Sequence, residues 1–187
     1  MTLLEMKKKI LGLIEELNPD SDVLTDDPDI EAKIHDVINQ RLYELARMKK
    51  IPKYIEIEVT EGDLIDYARI ERESGYEVYQ ISLVEGVNAK FKADGTIIKV
   101  LGNGTMGVEF YCYPERITEK TKAKTYEFEL TSDALEIMPY GVAGDLLKSD
   151  VSSDYGRIYS ETYEAMKMQL DPRYSMGMFT IEGGVSF

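Results

Sequence analysis

The chain has 187 residues, 43% of them hydrophobic and 10% aromatic, which is enough apolar surface for one sizeable core or two small ones. Its 35 acidic against 22 basic residues give a formal net charge of -13, which argues against sequence-independent attachment to phosphate backbones or anionic membranes. A single cysteine, Cys112, excludes an internal disulfide; set in an alternating apolar segment, it reads as a small buried side chain in a reducing compartment.

At the N-terminus, Leu3, Met6, Ile10, Leu13, Ile14 and Leu17 recur at helical spacing until Asn18-Pro19 ends the pattern. Lysines interrupt this apolar pattern, so it reads as neither a signal peptide nor a membrane span, and a cytoplasmic location is expected. The following loop sets Asp20, Asp22, Asp26 and Glu31 at spacings resembling an EF-hand. Leu24 and Thr25 stand where that loop needs an oxygen ligand and a glycine, so the acids read instead as favouring a helix N-terminus. A second, longer stripe, Ile30, Ile34, Val37, Ile38, Leu42, Leu45 and Ala46, predicts a helix with Pro28 near its first turn, closed by Lys49, Lys50 and Pro52.

From Tyr54 the period falls to two. YIEIEVT, YEVYQISL, VNAKFKA, TIIKVL, MGVEFYCY and TYEFEL read as short strands, and Asp94-Gly95 marks a tight hairpin between two of them. LGNGTMG places Gly102, Gly104 and Gly107 in a literal G-x-G-x-x-G. The alternating VEFYCYPE that follows predicts a strand where a phosphate cradle needs a helix, so these glycines are expected to form a hairpin turn. Helical signals return with Asp133-x-x-Glu136, a capping-box pattern, and Pro139 reads as a helix start or kink. Tyr155, Ile158, Tyr159, Thr162, Tyr163, Met166 and Leu170 form a last stripe, read as core, with Ser149, Ser152, Ser153 or Asp154 available as its cap. Gly141, Gly144 and Gly156 weaken helices, so their presence predicts close helix contacts or turns. The expected fold is α+β: a bundle of two N-terminal and two C-terminal helices, with an antiparallel β-sandwich or small barrel inserted between them. The expected divisions are 1–51, 52–131, 132–170 and a C-terminal arm, 171–187.

No arrangement of residues points to catalysis. The one histidine, His35, has no second histidine or cysteine cluster with which to hold a metal, and no G-x-S-x-G is present. Carboxylates are abundant, but abundance alone does not make a hydrolase. The chain is therefore expected to be no enzyme, with no catalytic, cofactor-binding or metal-ligating residues. An alternative function, a ligand- or peptide-binding β-sandwich module with helical flanks, would use Tyr76, Tyr79, Tyr111 and Tyr113.

The helix over Ile30 to Met48, the β-rich middle, the stretch IMPYGVAGDLLKSD and the helix SDYGRIYSETYEAMKMQL together resemble the head-tail connector or adaptor proteins of tailed bacteriophages, the head-completion or tail-tubular group. The Pro139 to Leu147 segment carries the resemblance locally, and the layout covers most of the chain. The resemblance implies a non-enzymatic structural virion protein that joins portal to tail. It implies a ring assembled on the portal around the DNA channel, with portal and tail or neck proteins as partners. It further implies residence in the host cytoplasm during assembly and then in the virion neck. An acidic surface fits such a channel, since cationic contacts would hold DNA in place. The arm after Asp171-Pro172 is rich in Met and aromatic residues, and Tyr174, Met176, Met178, Phe179 and Phe187 are its candidate partner contacts. It should either fold back on its own domain or insert into a partner.

Overall fold

The structure is a computed structural model that describes residues 1–18, 24–91, 96–149 and 154–170. The described chain forms mixed α+β structure in two compact units: one from Met1–Ile51 with residues 113–170, the other from Pro52–Cys112.

In the first unit, α1 (Leu3–Leu13) begins with a reciprocal cap. The Glu5 N–H donates to the Thr2 hydroxyl at 3.2 Å and the Thr2 N–H donates to the Glu5 carboxylate at 2.8 Å. The helix ends earlier than the apolar stripe suggests, because Glu15 takes a left-handed conformation (φ 60) and the Glu16 N–H closes back on the Leu11 carbonyl at 2.9 Å. In α2 (Pro28–Lys49) the Asp27 carboxylate accepts the N–H groups of Asp29 and Ile30 at 2.8 and 3.2 Å, and Pro28 fills a first-turn position that needs no donor. Chain return brings α4 (Ser132–Leu146), a short 3-10 turn (Leu147–Ser149) and α5 (Tyr155–Lys167). Leu3, Met6 and Ile10 of α1, Ile34, Ile38 and Leu42 of α2, Met138 and Val142 of α4 and Tyr163 of α5 share one buried core.

Three local expectations change here. Pro139 is not a helix start but lies inside α4, where it removes the hydrogen bond to the Leu135 carbonyl while the helix runs on to Leu146. The Asp133-x-x-Glu136 pattern makes no capping box: the cap residue is Thr131, without a side-chain cap bond, and Asp133 is engaged by Lys49. TYEFEL likewise forms no strand of a sheet. Its only ladder contact is an isolated bridge between Thr2 and Glu127, and the Tyr126 and Ala123 carbonyls accept the N–H groups of Leu3 and Leu4 at 3.0 and 2.9 Å. Tyr126 of this segment and Ala123 just before it thus satisfy first-turn donors of α1 that the helix itself cannot. Earlier in the same connection, buried Asn39 of α2 pairs with both backbone groups of Ile117 at 2.7 and 2.8 Å.

The second unit runs β1 (Pro52–Val59), β2 (Leu64–Asp66), α3 (Tyr67–Ser74), β3 (Val78–Glu85), β4 (Ala89–Phe91), β5 (Ile97–Val100) and β6 (Gly104–Cys112). These strands form two three-stranded antiparallel sheets, ordered β1-β6-β3 and β2-β5-β4, and no closed barrel. Ile57, Val59, Ile65, Ile70, Ile98, Val100, Met106, Val108 and Phe110 form their common core, with Cys112 buried beside them. Sequence periodicity does not suggest α3, yet its ends are plain: Asp66 accepts the Arg69 N–H at 2.9 Å and Gly75 closes it in a left-handed conformation. The Gly102–Gly107 stretch is not a hairpin turn, because β5 and β6 belong to different sheets; residues 101–103 carry the chain from one to the other, and Gly104 and Gly107 already lie in β6. The Asp94-Gly95 turn lies outside the described residues, although β4 and β5 pair antiparallel on either side.

Glycines set the distance between α4 and α5. A Cβ at Gly144 would lie 2.5 Å from the Ser160 hydroxyl and 2.9 Å from its backbone nitrogen, and one at Gly141 would lie 2.9 Å from the Tyr163 ring. Helix propensity alone would make Gly144→Ala stabilising by about 1 kcal/mol. We expect a net loss of about 1–3 kcal/mol instead, from forced separation of the helices, measured by urea denaturation. A gain in stability would mean that α5 is not seated on this glycine.

Candidate interaction surfaces

The junction of α2, α4 and α5 is organised around Tyr163. Its ring is 1% exposed and lies on Gly141, and its hydroxyl donates to Glu44 at 3.0 Å. Arg41 and Lys167 approach the same ring at 4.7 and 4.9 Å from its centroid, and both also bind Glu44, each at 2.7 Å. Arg41 continues to Asp145 of α4 at 2.6 Å. Burial pushes the Glu44 carboxyl up, but the hydrogen bonds from Lys167, Arg41 and Tyr163 outweigh it and hold the group below its ordinary value. Burial and the facing Glu44 carboxylate raise the Tyr163 hydroxyl, so it stays a donor throughout the physiological range. On the same helix the Tyr159 hydroxyl donates to the Leu13 carbonyl at 2.6 Å, tying α5 to the end of α1.

The inner face of α5 is thus committed to its own unit. Its outer face is not buried. Tyr155 and Ile158, which the helical stripe reads as core, are 58% and 43% exposed, and Met168, just beyond the helix, is 84% exposed; in α5 only Gly156 and Tyr163 are buried, and Leu170 beyond it. The candidate contacts Tyr174, Met176, Met178, Phe179 and Phe187 lie outside the described residues, which end immediately after this face.

His35 borders an open cleft of about 930 Å3, together with Lys7, Glu31, Asp36, Arg116 and Glu119. Asp36 shares this cleft, although its sequence position suggests another face of α2, and it meets Arg116 at 3.4 Å. Burial lowers the proton affinity of His35, with Lys7 adding to it, so the imidazole is neutral at neutral pH. Lys7 is lowered by burial too, against the pull of Glu31. Cations and carboxylates share the lining of this cleft, and among the described residues no group of His, Cys, Asp and Glu side chains is arranged to hold a metal ion.

The four tyrosines of the alternative binding module have separate settings. Tyr111 is buried and stacks on Tyr79, with centroids 6.3 Å apart, and Tyr76 lies beneath the Lys53 ammonium at 4.6 Å. Tyr113 belongs to the helical unit, where it stacks on Tyr43 at 4.7 Å. No helix of the described residues is long and apolar enough to cross a membrane. In comparisons with known proteins, no family model matches the chain and no curated protein gives a significant match.

One ion pair joins the end of α2 to the start of α4. Lys49 is 4% exposed and its ammonium meets the Asp133 carboxylate at 2.5 Å, holding that carboxyl down at about 2. A carboxyl depressed in the folded state adds stability above its ordinary value, and loses it as pH falls through the folded one. The contribution should therefore fade between about pH 4 and pH 2. Asp133→Asn, which removes the charge that Asp133 sets against the buried ammonium, should cost about 1–3 kcal/mol at neutral pH. Its stability should also fall less steeply than that of the unsubstituted chain across this acid window, as followed by urea midpoints against pH.

Proposed function

We propose that the chain is a structural virion protein of a tailed bacteriophage, a head-tail connector or adaptor that docks on the portal and joins it to the tail. The observation that carries this reading is the two-sided use of α5. The Pro139 to Leu147 stretch, on which the family resemblance rests, supplies the glycines that seat one side of the helix, while Tyr155, Ile158 and Met168 stay outside. In this reading the four helices of the first unit make a bundle that serves as platform, and the β unit is a sandwich inserted into it. The arm, 171–187, extends the apolar side of α5 into the portal or a neighbouring neck protein. Burying its Met and Phe side chains yields about 25 cal/mol per Å2 of apolar area, set against the freedom lost on docking.

The net charge of -13 supports a role beside DNA rather than on it. DNA passing a ring of such chains meets a repulsive wall and is not held by phosphate contacts. Neither a catalytic activity nor a cofactor is part of this proposal.

Two outcomes test it. Removing residues 171–187 should leave the thermal unfolding of the isolated chain nearly unchanged while abolishing its incorporation into portal-containing particles. A loss of several kcal/mol would instead make the arm part of the monomer's core and remove the assembly explanation of its composition. In gel-shift titrations at physiological salt the full chain should show no saturable affinity for duplex DNA, and specific duplex binding would overturn the channel reading.

A further inference from the structure

One face of sheet β1-β6-β3 is turned into the core of its unit, through Ile57, Val59, Met106, Val108 and Phe110. Register determines what the other face presents. Tyr54, Glu109 and Leu83 lie abreast, Glu56, Gly107 and Glu85 form the next row, and Glu58 faces Thr105 beyond them. Tyr54 and Leu83, on β1 and β3, are 51% and 45% exposed on this face with Glu109 between them, and Glu56, Glu85 and Glu58 follow along the sheet. Gly107 makes room for the arrangement: a Cβ there would collide with the Tyr54 hydroxyl, which leans over the strand to donate to Glu85 at 3.1 Å. None of the four glutamates is ion-paired among the described residues. The face thus combines two exposed apolar side chains with four carboxylates.

The charge that would complement this face occurs on the same chain. Between Arg116 and Lys124 the sequence carries Arg116, Lys120, Lys122 and Lys124 against the single acid Glu119, within a chain whose net charge is -13. Arg116, Lys120 and Lys122 border a shallow groove of about 500 Å3 with Glu115, Thr121 and Tyr126. Lys120, Lys122 and Lys124 are exposed and, like the glutamates, take part in no ion pair among the described residues. Like-charge repulsion disfavours most approaches of two such acidic chains. An approach that sets unpaired cations against unpaired carboxylates escapes it.

We propose that the outer face of sheet β1-β6-β3 receives the Arg116–Lys124 segment of a second copy of this chain. Tyr54 and Leu83 anchor the contact, and the glutamates pair with Lys120, Lys122 and Lys124. The two surfaces differ, so the contact is head to tail and repeats from copy to copy, generating a ring if the rotation closes and a filament if it does not. Closure into a ring on a portal rests on the connector reading, whereas the contact itself does not.

Charge exchange tests it with the chain alone. Glu56→Lys, Glu58→Lys and Glu85→Lys together make the face basic, and Lys120→Glu with Lys122→Glu makes the segment acidic. All five positions are exposed, and thermal unfolding checks that each variant keeps its fold. Sedimentation velocity at an ionic strength of about 0.1 M, where the Debye length is about 10 Å, should show salt-sensitive association of the unsubstituted chain. Each variant alone should associate weaker by on the order of tenfold or more, because its face and segment now repel. Mixed in equal amounts they should associate again, alternating, since the basic face meets the acidic segment and the acidic face the basic one. An unsubstituted chain that stays monomeric, a variant that associates by itself as strongly as the parent, or a mixture that remains monomeric would each overturn the proposal. Failure to bind a portal would end the connector reading and leave these outcomes unchanged.

Discussion

Tyr163 is the side chain through which the helical unit is tied together, and its place depends on what Gly141 lacks. With no Cβ beneath it, the ring settles on α4, and its hydroxyl reaches Glu44 of α2 at 3.0 Å. That places Glu44 within reach of both Arg41 and Lys167, so one carboxylate links α2 to α5, and Arg41 extends the link to α4 through Asp145. A larger residue at position 141 would lift the ring and separate the charges together. Networks of this kind are worth more than their separate pairs because each member fixes the geometry of the next.

The arrangement also explains why α5 can face two ways. Gly156, Tyr159 and Tyr163 satisfy the inner side with a close backbone approach, a hydrogen bond to the Leu13 carbonyl and the Glu44 network. On the outer side Tyr155, which stacks on Tyr159 at 6.2 Å, Ile158 and, just beyond the helix, Met168 are exposed. Single apolar side chains on a surface are ordinary; what sets these apart is that they lie in the stretch immediately before the Met- and aromatic-rich C-terminal sequence. The β unit applies the same economy to its outer sheet face, where Gly107 lets Tyr54 lie flat between carboxylates.

Much of the helical unit was legible in the sequence because its signals are local. The Asp27-Pro28 start of α2 and its end at Lys49 follow from capping and propensity. The close helix contacts expected at Gly141, Gly144 and Gly156 are present because no other explanation of glycine in these helices is physically inexpensive. What was hidden depends on distant partners. TYEFEL alternates like a strand, yet its Tyr126 carbonyl serves the first turn of α1, more than a hundred residues earlier in the chain. LGNGTMG reads as a turn, but which sheet each flanking strand joins is not a property of the turn. Helix α3 escapes periodicity because it buries only Ile70, leaving Asp66 and Gly75 as its sole markers. At the candidate surfaces, composition drew attention to the arm. It could not show that Tyr155 and Ile158 face outward, since a helical stripe looks the same whether a core or solvent lies beside it.

The central claim is that the chain joins a portal ring to a tail. Electron microscopy of purified rings of the portal protein proposed as its partner, incubated with the purified chain, tests it most directly. The account predicts an added ring of density on the tail-facing end of the portal, in a fixed ratio to portal subunits. Portal rings that remain bare when the chain is in excess would contradict it.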